Sequence, residues 1–296
     1  MKLAVIFDFD LTLSPEIMLD PVLRHWGLNP LDFWKSCSAL QSGPNAFDLE
    51  HSYLHRLVQE GMRDPTRRLN AEKLKLWGKE VALYPGLIDG PEGPGLFKAL
   101  KAAVPPGGLE LFIISGGLQP MIEGCLAHHS LAPYFNAVFA CRMAEEDPAD
   151  SLGSRLSFPK ETVNFTVKTQ KLFNVSKGSW RPDGNGPDVN AKVKQADLRI
   201  PFKNMLYLGD GHSDIAAFAL LRQFGGTSMA VFHPGDARAE ARAREFSVVQ
   251  GRAHDYFAAD YRPGSALRQA ILNWAMRAHG DEKHPELALP KHPNDG

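Results

Sequence analysis

The apolar run Leu3–Phe7 ends directly in Asp8 and Asp10, and this junction constrains the chain more than any other stretch. A run of this length suits a strand buried on both faces, as in a parallel sheet. Similar short runs recur at 109–114, 205–208 and 228–232, separated by stretches of helical periodicity. This alternation predicts an α/β fold, a Rossmann-like parallel sheet flanked by helices. Ligands of such sheets bind beyond the carboxyl ends of the strands. Three of the four runs end in polar residues there: Asp8, Ser115 and, after Gly209, Asp210.

Between the first and second runs the pattern turns to helices without strands, carrying Trp26, Phe33, Trp34, Phe47, Tyr53 and Trp77. The expected organisation is therefore an α/β core made of residues 1–14 and 85–279, with a helical cap, 15–84, inserted after the first strand. Two stretches, 145–160 and 178–201, read as long irregular connections, which in compact domains are usually functional or mobile. A last helix is expected over about 264–278, and 280–296 reads as a loose polar tail.

The composition excludes several classes. With 296 residues, 44% of them hydrophobic, the chain can bury a sizeable core. A formal net charge of -1 provides no basic field for nucleic acid, so an anionic ligand must be held locally. No apolar window approaches a membrane span, and the opening run is too short for a signal-peptide core. Cys37, Cys125 and Cys141 are odd in number and scattered, which reads as reduced thiols. The simplest placement is a cytoplasmic enzyme, with neither nucleic acid nor membrane as partner.

The chemistry-bearing residues fall in separate stretches. In Val5-Ile-Phe-Asp8-Phe-Asp10-Leu-Thr12, a buried strand delivers two carboxylates to its end. One can attack phosphorus and form an aspartyl phosphate, while the other gives and takes protons. The alternative is a pair of turn aspartates, one of them capping a helix. In Ile114-Ser115-Gly116-Gly117 the hydroxyl and the backbone N–H groups after a strand can donate to phosphate oxygens, although such a sequence is also an ordinary βα loop. In Gly209-Asp210-Gly-His-Ser-Asp214, two oxygen donors can converge beside Asp8, a set suited to Mg²⁺. Asp214 taken singly also fits a helix-start carboxylate. A cluster of carboxylates that receives a phosphate needs a cation as well, and the candidates are Lys168, near the start of a helix, and Lys171, within it.

In this order the stretches resemble the haloacid dehalogenase superfamily of phosphatases. The D-x-D-x-T element is Asp8, Asp10 and Thr12; the hydroxyl element is Ser115; the lysine element is Lys168; the G-D-x-x-x-D element is Gly209, Asp210 and Asp214. The resemblance implies a nucleophile at Asp8 and acid/base work by Asp10. It implies phosphate binding by Thr12, Ser115 and Gly116, with Lys168 as the catalytic cation. Mg²⁺ would be held by Asp8, the backbone carbonyl of Asp10 and Asp210, with Asp214 supporting it. Ser115-Gly-Gly117 and the helical insert are most similar to the phosphoserine phosphatase branch. Leu11 stands where that branch has a small hydroxyl residue, and Glu16 stands near the place of its substrate-reading glutamate.

The implied activity is hydrolysis of a small phosphomonoester, a small phosphorylated metabolite, with the insert acting as a lid. Its rivals are a phosphotransferase or mutase of the same superfamily, a phosphoacceptor switch, and a phosphate-binding scaffold without turnover. His51 and His55, four apart on a helix, read as helix-surface residues for want of a third ligand, and the aromatic residues of the insert read as a small core.

Overall fold

A computed structural model describes residues 1–147 and 153–280. The strands are β1 (Leu3–Phe7), β2 (Leu109–Leu118), β3 (Ala137–Glu146), β4 (Arg155–Glu161), β5 (Met205–Gly209), β6 (Thr227–Phe232) and β7 (Asp255–Ala258). They form one sheet in the order β4-β3-β2-β1-β5-β6-β7. Every pairing is parallel except β3 with β4. β1 lies in the middle, and all five of its residues are buried, which is why it reads as an unbroken apolar run.

The 15–84 segment is helical, as expected. It holds α1 (Asp20–His25), α2 (Pro30–Leu40), α3 (Leu49–Arg63) and α4 (Ala71–Gly78). α2 starts where Asn29 accepts hydrogen bonds from the Leu31 and Asp32 N–H groups and Pro30 fixes the first turn. The remaining helices are α5 (Leu96–Ala103), α6 (Gln119–His128), α7 (Phe165–Lys177), α8 (Ile215–Gln223), α9 (Ala237–Arg244) and α10 (Ala266–Gly280). α7 packs beside α8, and α10 beside α5.

α4 sits directly on α6. A methyl group on Gly78 would lie 2.2 Å from the Met121 carbonyl oxygen, and one on Gly124 would lie 2.1 Å from the Lys75 carbonyl oxygen. The two backbones can touch only because both positions are glycine. Apolar contacts then run unbroken from the sheet through Leu19, Val22, Leu54 and Leu74 of the helical segment.

Several expectations need correction. β2 continues through Ser115-Gly-Gly117 as a strand with an irregular register, rather than ending in a glycine turn at 114. The stretch 145–160 is largely a hairpin arm. β3 and β4 pair antiparallel, and Arg142 with Glu161 and Arg155 with Glu146 form ion pairs across it, each at 2.7 Å. The charges that read as a loop are the cross-strand pairs of a sheet edge. Residues 148–152 within that stretch lie outside the described residues. The connection 178–201 is irregular as expected, apart from a single turn at Gln195–Asp197. The last helix reaches Gly280, and the expected tail from 281 onward lies outside the described residues. Among the described residues no helix is long and apolar enough to cross a membrane.

Candidate active site

Asp8 leaves β1 at the middle of the sheet, where its N–H donates to the Leu208 carbonyl of β5 at 2.8 Å. Its Oδ1 accepts the Phe9 N–H at 2.8 Å, and its Oδ2 lies 3.0 Å from Lys168 Nζ. The chain then turns back sharply, with the Leu13 and Ser14 N–H groups both donating to the Phe9 carbonyl. Leu11 takes φ +56° in this turn, a left-handed conformation that costs a leucine energy and sets Asp10 beside Asp8 at the cleft. Asp10 Oδ1 accepts the Met18 N–H at 2.9 Å.

Lys168 enters from the first turn of α7, which Asn164 caps by accepting the Thr166 and Val167 N–H groups. Its ammonium has three partners: Asp214 Oδ1 at 2.6 Å, Asp8 Oδ2 at 3.0 Å and Ser213 Oγ at 3.0 Å. Lys171, one turn on, pairs with Glu161 at 2.5 Å, away from this cluster. Of the two lysine candidates, Lys168 is the one brought to the aspartates.

Asp210 follows β5, and Asp214 closes a single tight turn, His212–Asp214, ahead of α8. Both oxygens of Asp214 are taken: Oδ1 by Lys168 and by the Tyr207 hydroxyl at 2.7 Å, Oδ2 by the Gly211 N–H at 3.3 Å. A methyl group on Gly209 would lie 2.3 Å from Asp214 Oδ2, so only glycine lets this carboxylate fold back against the strand. Asp210 makes no hydrogen bond or ion pair to a described residue. Ligand atoms of Asp8, Asp210 and Asp214 lie within 4.8 Å of one another, the single such group of three or more among the described residues.

Burial dominates the electrostatics. Desolvation pushes the Asp8 carboxyl up to about 7 against the opposing pull of Lys168. It pushes Asp10 up to about 8, the Met18 N–H only partly opposing it. Asp210 is held well above the carboxylate range by burial, with Asp214 and Asp8 adding to the effect. Burial would lower the Lys168 ammonium, but Asp214 and Asp8 outweigh this and raise it.

Above these groups opens a cleft of about 280 Å³. Asp8, Asp10 and Asp210 form its floor, and Ser115, Gly116 and Gly117 one side. Ser115 Oγ accepts the Gly117 N–H at 3.0 Å. Thr12 does not reach the cleft. It is fully buried beneath the turn, where its carbonyl accepts the Tyr261 hydroxyl at 2.7 Å and its own hydroxyl has no partner. Glu16 also stays outside, pairing with Arg24 at 3.0 Å.

The wall next to Gly116 comes from the helical segment: Trp34, Leu49, Glu50 and Tyr53. The sequence pattern puts Trp34 and Tyr53 in a small core and does not single out Leu49 or Glu50. Glu50, Tyr53, Leu54 and Leu57 are all buried on α3. They are spaced i, i+3, i+4 and i+7, so Glu50 is a carboxylate on an apolar stripe. That spacing was a readable signal. His51 and His55 on the same helix do not line the cleft: His51 faces Asp48, and His55 lies on the Phe47 ring.

No protein-family model matches the chain. An uncharacterized protein of Borreliella burgdorferi is 28% identical over 299 residues, covering 93% of this chain and 95% of that protein. Among solved structures, a HAD-family hydrolase of Salmonella enterica serovar Typhi aligns with a TM-score of 0.55 at 18% identity, over 94% of this chain and 71% of that one. A phosphoserine phosphatase solved as a phospho-aspartyl intermediate analogue aligns with a TM-score of 0.51 at 17% identity, over 91% and 97% of the two chains. The fold is that of the haloacid dehalogenase-type hydrolases, as the sequence resemblance implied.

Proposed function

We propose that this chain is a Mg²⁺-dependent phosphatase of the haloacid dehalogenase superfamily, hydrolysing a small phosphomonoester through an aspartyl phosphate on Asp8. The observation that carries the reading is the placement of Lys168, buried between Asp8 and Asp214, with Asp10 and an unpartnered Asp210 beside them. The residues fit a divalent cation. Asp210 is part-buried with no donor among the described residues, and the carboxylates of the cluster outnumber the one lysine among them. Asp8, Asp210 and the main-chain oxygen of Asp10 would hold the ion, and Asp214, its oxygens already taken, would support it by fixing Lys168. When bound, Mg²⁺ supplies positive charge that offsets the approach of phosphate to these carboxylates.

The protein's own groups divide the remaining work. Lys168 holds Asp8 Oδ2 in place and offsets its charge; Asp214 holds Lys168, and the Tyr207 hydroxyl in turn holds Asp214. The Ser115 hydroxyl and the backbone of Gly116 beside it receive the phosphoryl oxygens. Asp8 attacks phosphorus and the bond to the ester oxygen breaks. Asp10, whose carboxyl burial raises to about 8 and so inclines to hold a proton, gives that proton to the departing alkoxide. Water then attacks phosphorus, loses a proton to Asp10, and releases Asp8. The helices of residues 15–84 act as the cap that walls this cleft from bulk water. Thr12, buried away from the cleft, anchors the turn that carries Asp10 rather than touching phosphate.

The test is phosphate release from p-nitrophenyl phosphate by purified protein with Mg²⁺ and after exhaustive chelation. Turnover that vanishes on chelation and returns with Mg²⁺ is expected. Turnover unchanged by chelation removes the metal from this reading, and no release under any condition removes the phosphatase.

A further inference from the structure

The charges that line the cleft are all acidic: Asp8, Asp10, Asp210 and Glu50. Among the described residues no lysine or arginine lines it. Lys168 stands behind Asp8 with its three donors already directed at Asp8, Asp214 and Ser213. The three aspartates on the floor have work in the phosphoryl chemistry, but Glu50, on the helical wall next to Gly116, has none.

Glu50 is 5% exposed, and what remains exposed opens on the cleft. Its carboxylate takes a hydrogen bond from its own N–H, and no hydrogen bond or ion pair joins it to another described residue. Burial raises its carboxyl above the usual range. A buried carboxylate held only by its own N–H is costly unless something outside the chain completes it. The carboxylate stands over the phosphate side of the cleft, since a methyl group built on Gly116 would lie 3.3 Å from Glu50 Oε1. Beside it Trp34 and Tyr53 form an aromatic corner, their ring centroids 5.9 Å apart and tilted by 57°. Tyr53 is held there by its hydroxyl, which donates to the Gly116 carbonyl at 2.8 Å. A carboxylate beside aromatic rings, in a cleft lined by no basic side chain among the described residues, is suited to a positively charged group.

We propose that the alcohol esterified to the phosphate carries a positive charge, an ammonium or quaternary ammonium group on a short carbon spacer, which pairs with Glu50 and packs against Trp34 and Tyr53. This rests on the phosphomonoesterase reading and narrows it to phosphate esters of amino alcohols. A leaving group bearing a carboxylate or a second phosphate would meet Glu50 with no basic side chain to receive it. By the same reasoning phosphoserine, whose carboxylate lacks a partner in this cleft, is a poorer substrate than its decarboxylated analogue.

The test compares kcat/KM of the Mg²⁺-loaded enzyme on 2-aminoethyl phosphate, its trimethylammonium analogue, neutral propyl phosphate, carboxymethyl phosphate and phosphoserine, with p-nitrophenyl phosphate reporting the chemistry itself. The cationic esters are expected to exceed propyl phosphate by about 10- to 100-fold, the range of a charge-assisted contact, and carboxymethyl phosphate to fall below it. Glu50→Gln should bring the ratio of cationic to neutral ester to about one. Trp34→Leu should lower the trimethylammonium ester more than the propyl ester. The wild-type ranking needs no variant to fold. If p-nitrophenyl phosphate is turned over but propyl or carboxymethyl phosphate equals the cationic esters, or Glu50→Gln leaves the ratio unchanged, the substrate class is wrong while the phosphatase stands. If no ester is turned over, both fail.

Discussion

Replacing Lys168 by methionine keeps most of the side-chain volume and removes one buried charge, leaving Asp8 and Asp214 without the cation that lies 3.0 Å from one and 2.6 Å from the other. Breaking a buried pair by deleting one partner costs about 3–5 kcal/mol. The pair one turn along, Lys171 with Glu161, is 14% and 25% exposed and carries at most about 1 kcal/mol, so Lys171→Ala is the matched control. Urea unfolding of the metal-free protein should therefore show a large fall in midpoint for Lys168→Met and a small one for Lys171→Ala. In the folded fraction, confirmed by circular dichroism, losing one aimed positive charge should lower kcat by about 10²–10³. Adding Asp214→Asn to Lys168→Met removes an uncompensated charge and should recover part of the stability but none of the turnover. A Lys168→Met enzyme within a few-fold of wild type, or a Lys171→Ala enzyme that is the more damaged, would refute the assignment.

Two further outcomes follow from the same cluster. Asp8 and Asp10 rise from 3.8 to about 7 and about 8 in the folded protein, so between pH 4 and 8 the native state holds protons that the unfolded chain has lost. Stability present at acid pH is thus lost as pH rises through that window, by up to about 1.4 kcal/mol per pH unit for each such group. Melting temperatures of metal-free protein should fall across it, and Mg²⁺ should raise them more at pH 8 than at pH 6; equal metal stabilisation at both would count against the raised acids. Gly209→Ala would put a methyl group 2.3 Å from Asp214 Oδ2, displacing the carboxylate that holds Lys168. The expected result is a loss of both stability and turnover, checked by thermal melting and p-nitrophenyl phosphate hydrolysis, and a variant with wild-type activity would contradict that packing.

The central strands were legible because burial on both faces writes them as unbroken apolar runs. β1, β5 and β6 match their expected positions within a residue, and β2 overran its expected end only because the irregular segment at Ser115–Gly117 still pairs with β3. The outer strands were not legible. Arg142, Glu146, Arg155 and Glu161 pair across an edge hairpin, and in sequence such charges look like a loop. The floor of the site was legible because each aspartate follows a strand. Its helical wall was not: the spacing puts Glu50 on the buried stripe of α3, but its nearness to Gly116 depends on how α3 packs over the sheet. Thr12 shows the reverse case: its place in the motif pointed to phosphate, whereas the tight turn at Leu11 buries it under the site.

The most direct measurement is rapid-quench labelling of Asp10→Asn with an activated aryl phosphate and Mg²⁺. Asp8 can still attack when the leaving group needs no proton, but an amide at position 10 cannot take the proton from the water that must hydrolyse the intermediate. Turnover should fall by about 10²–10⁴. A burst of one equivalent of aryl alcohol should be followed by slow release, with a hydroxylamine-sensitive phosphate on the peptide that contains Asp8. Asp8→Asn should give neither burst nor label. Full turnover by Asp10→Asn, or phosphate trapped on a residue other than Asp8, would contradict the mechanism.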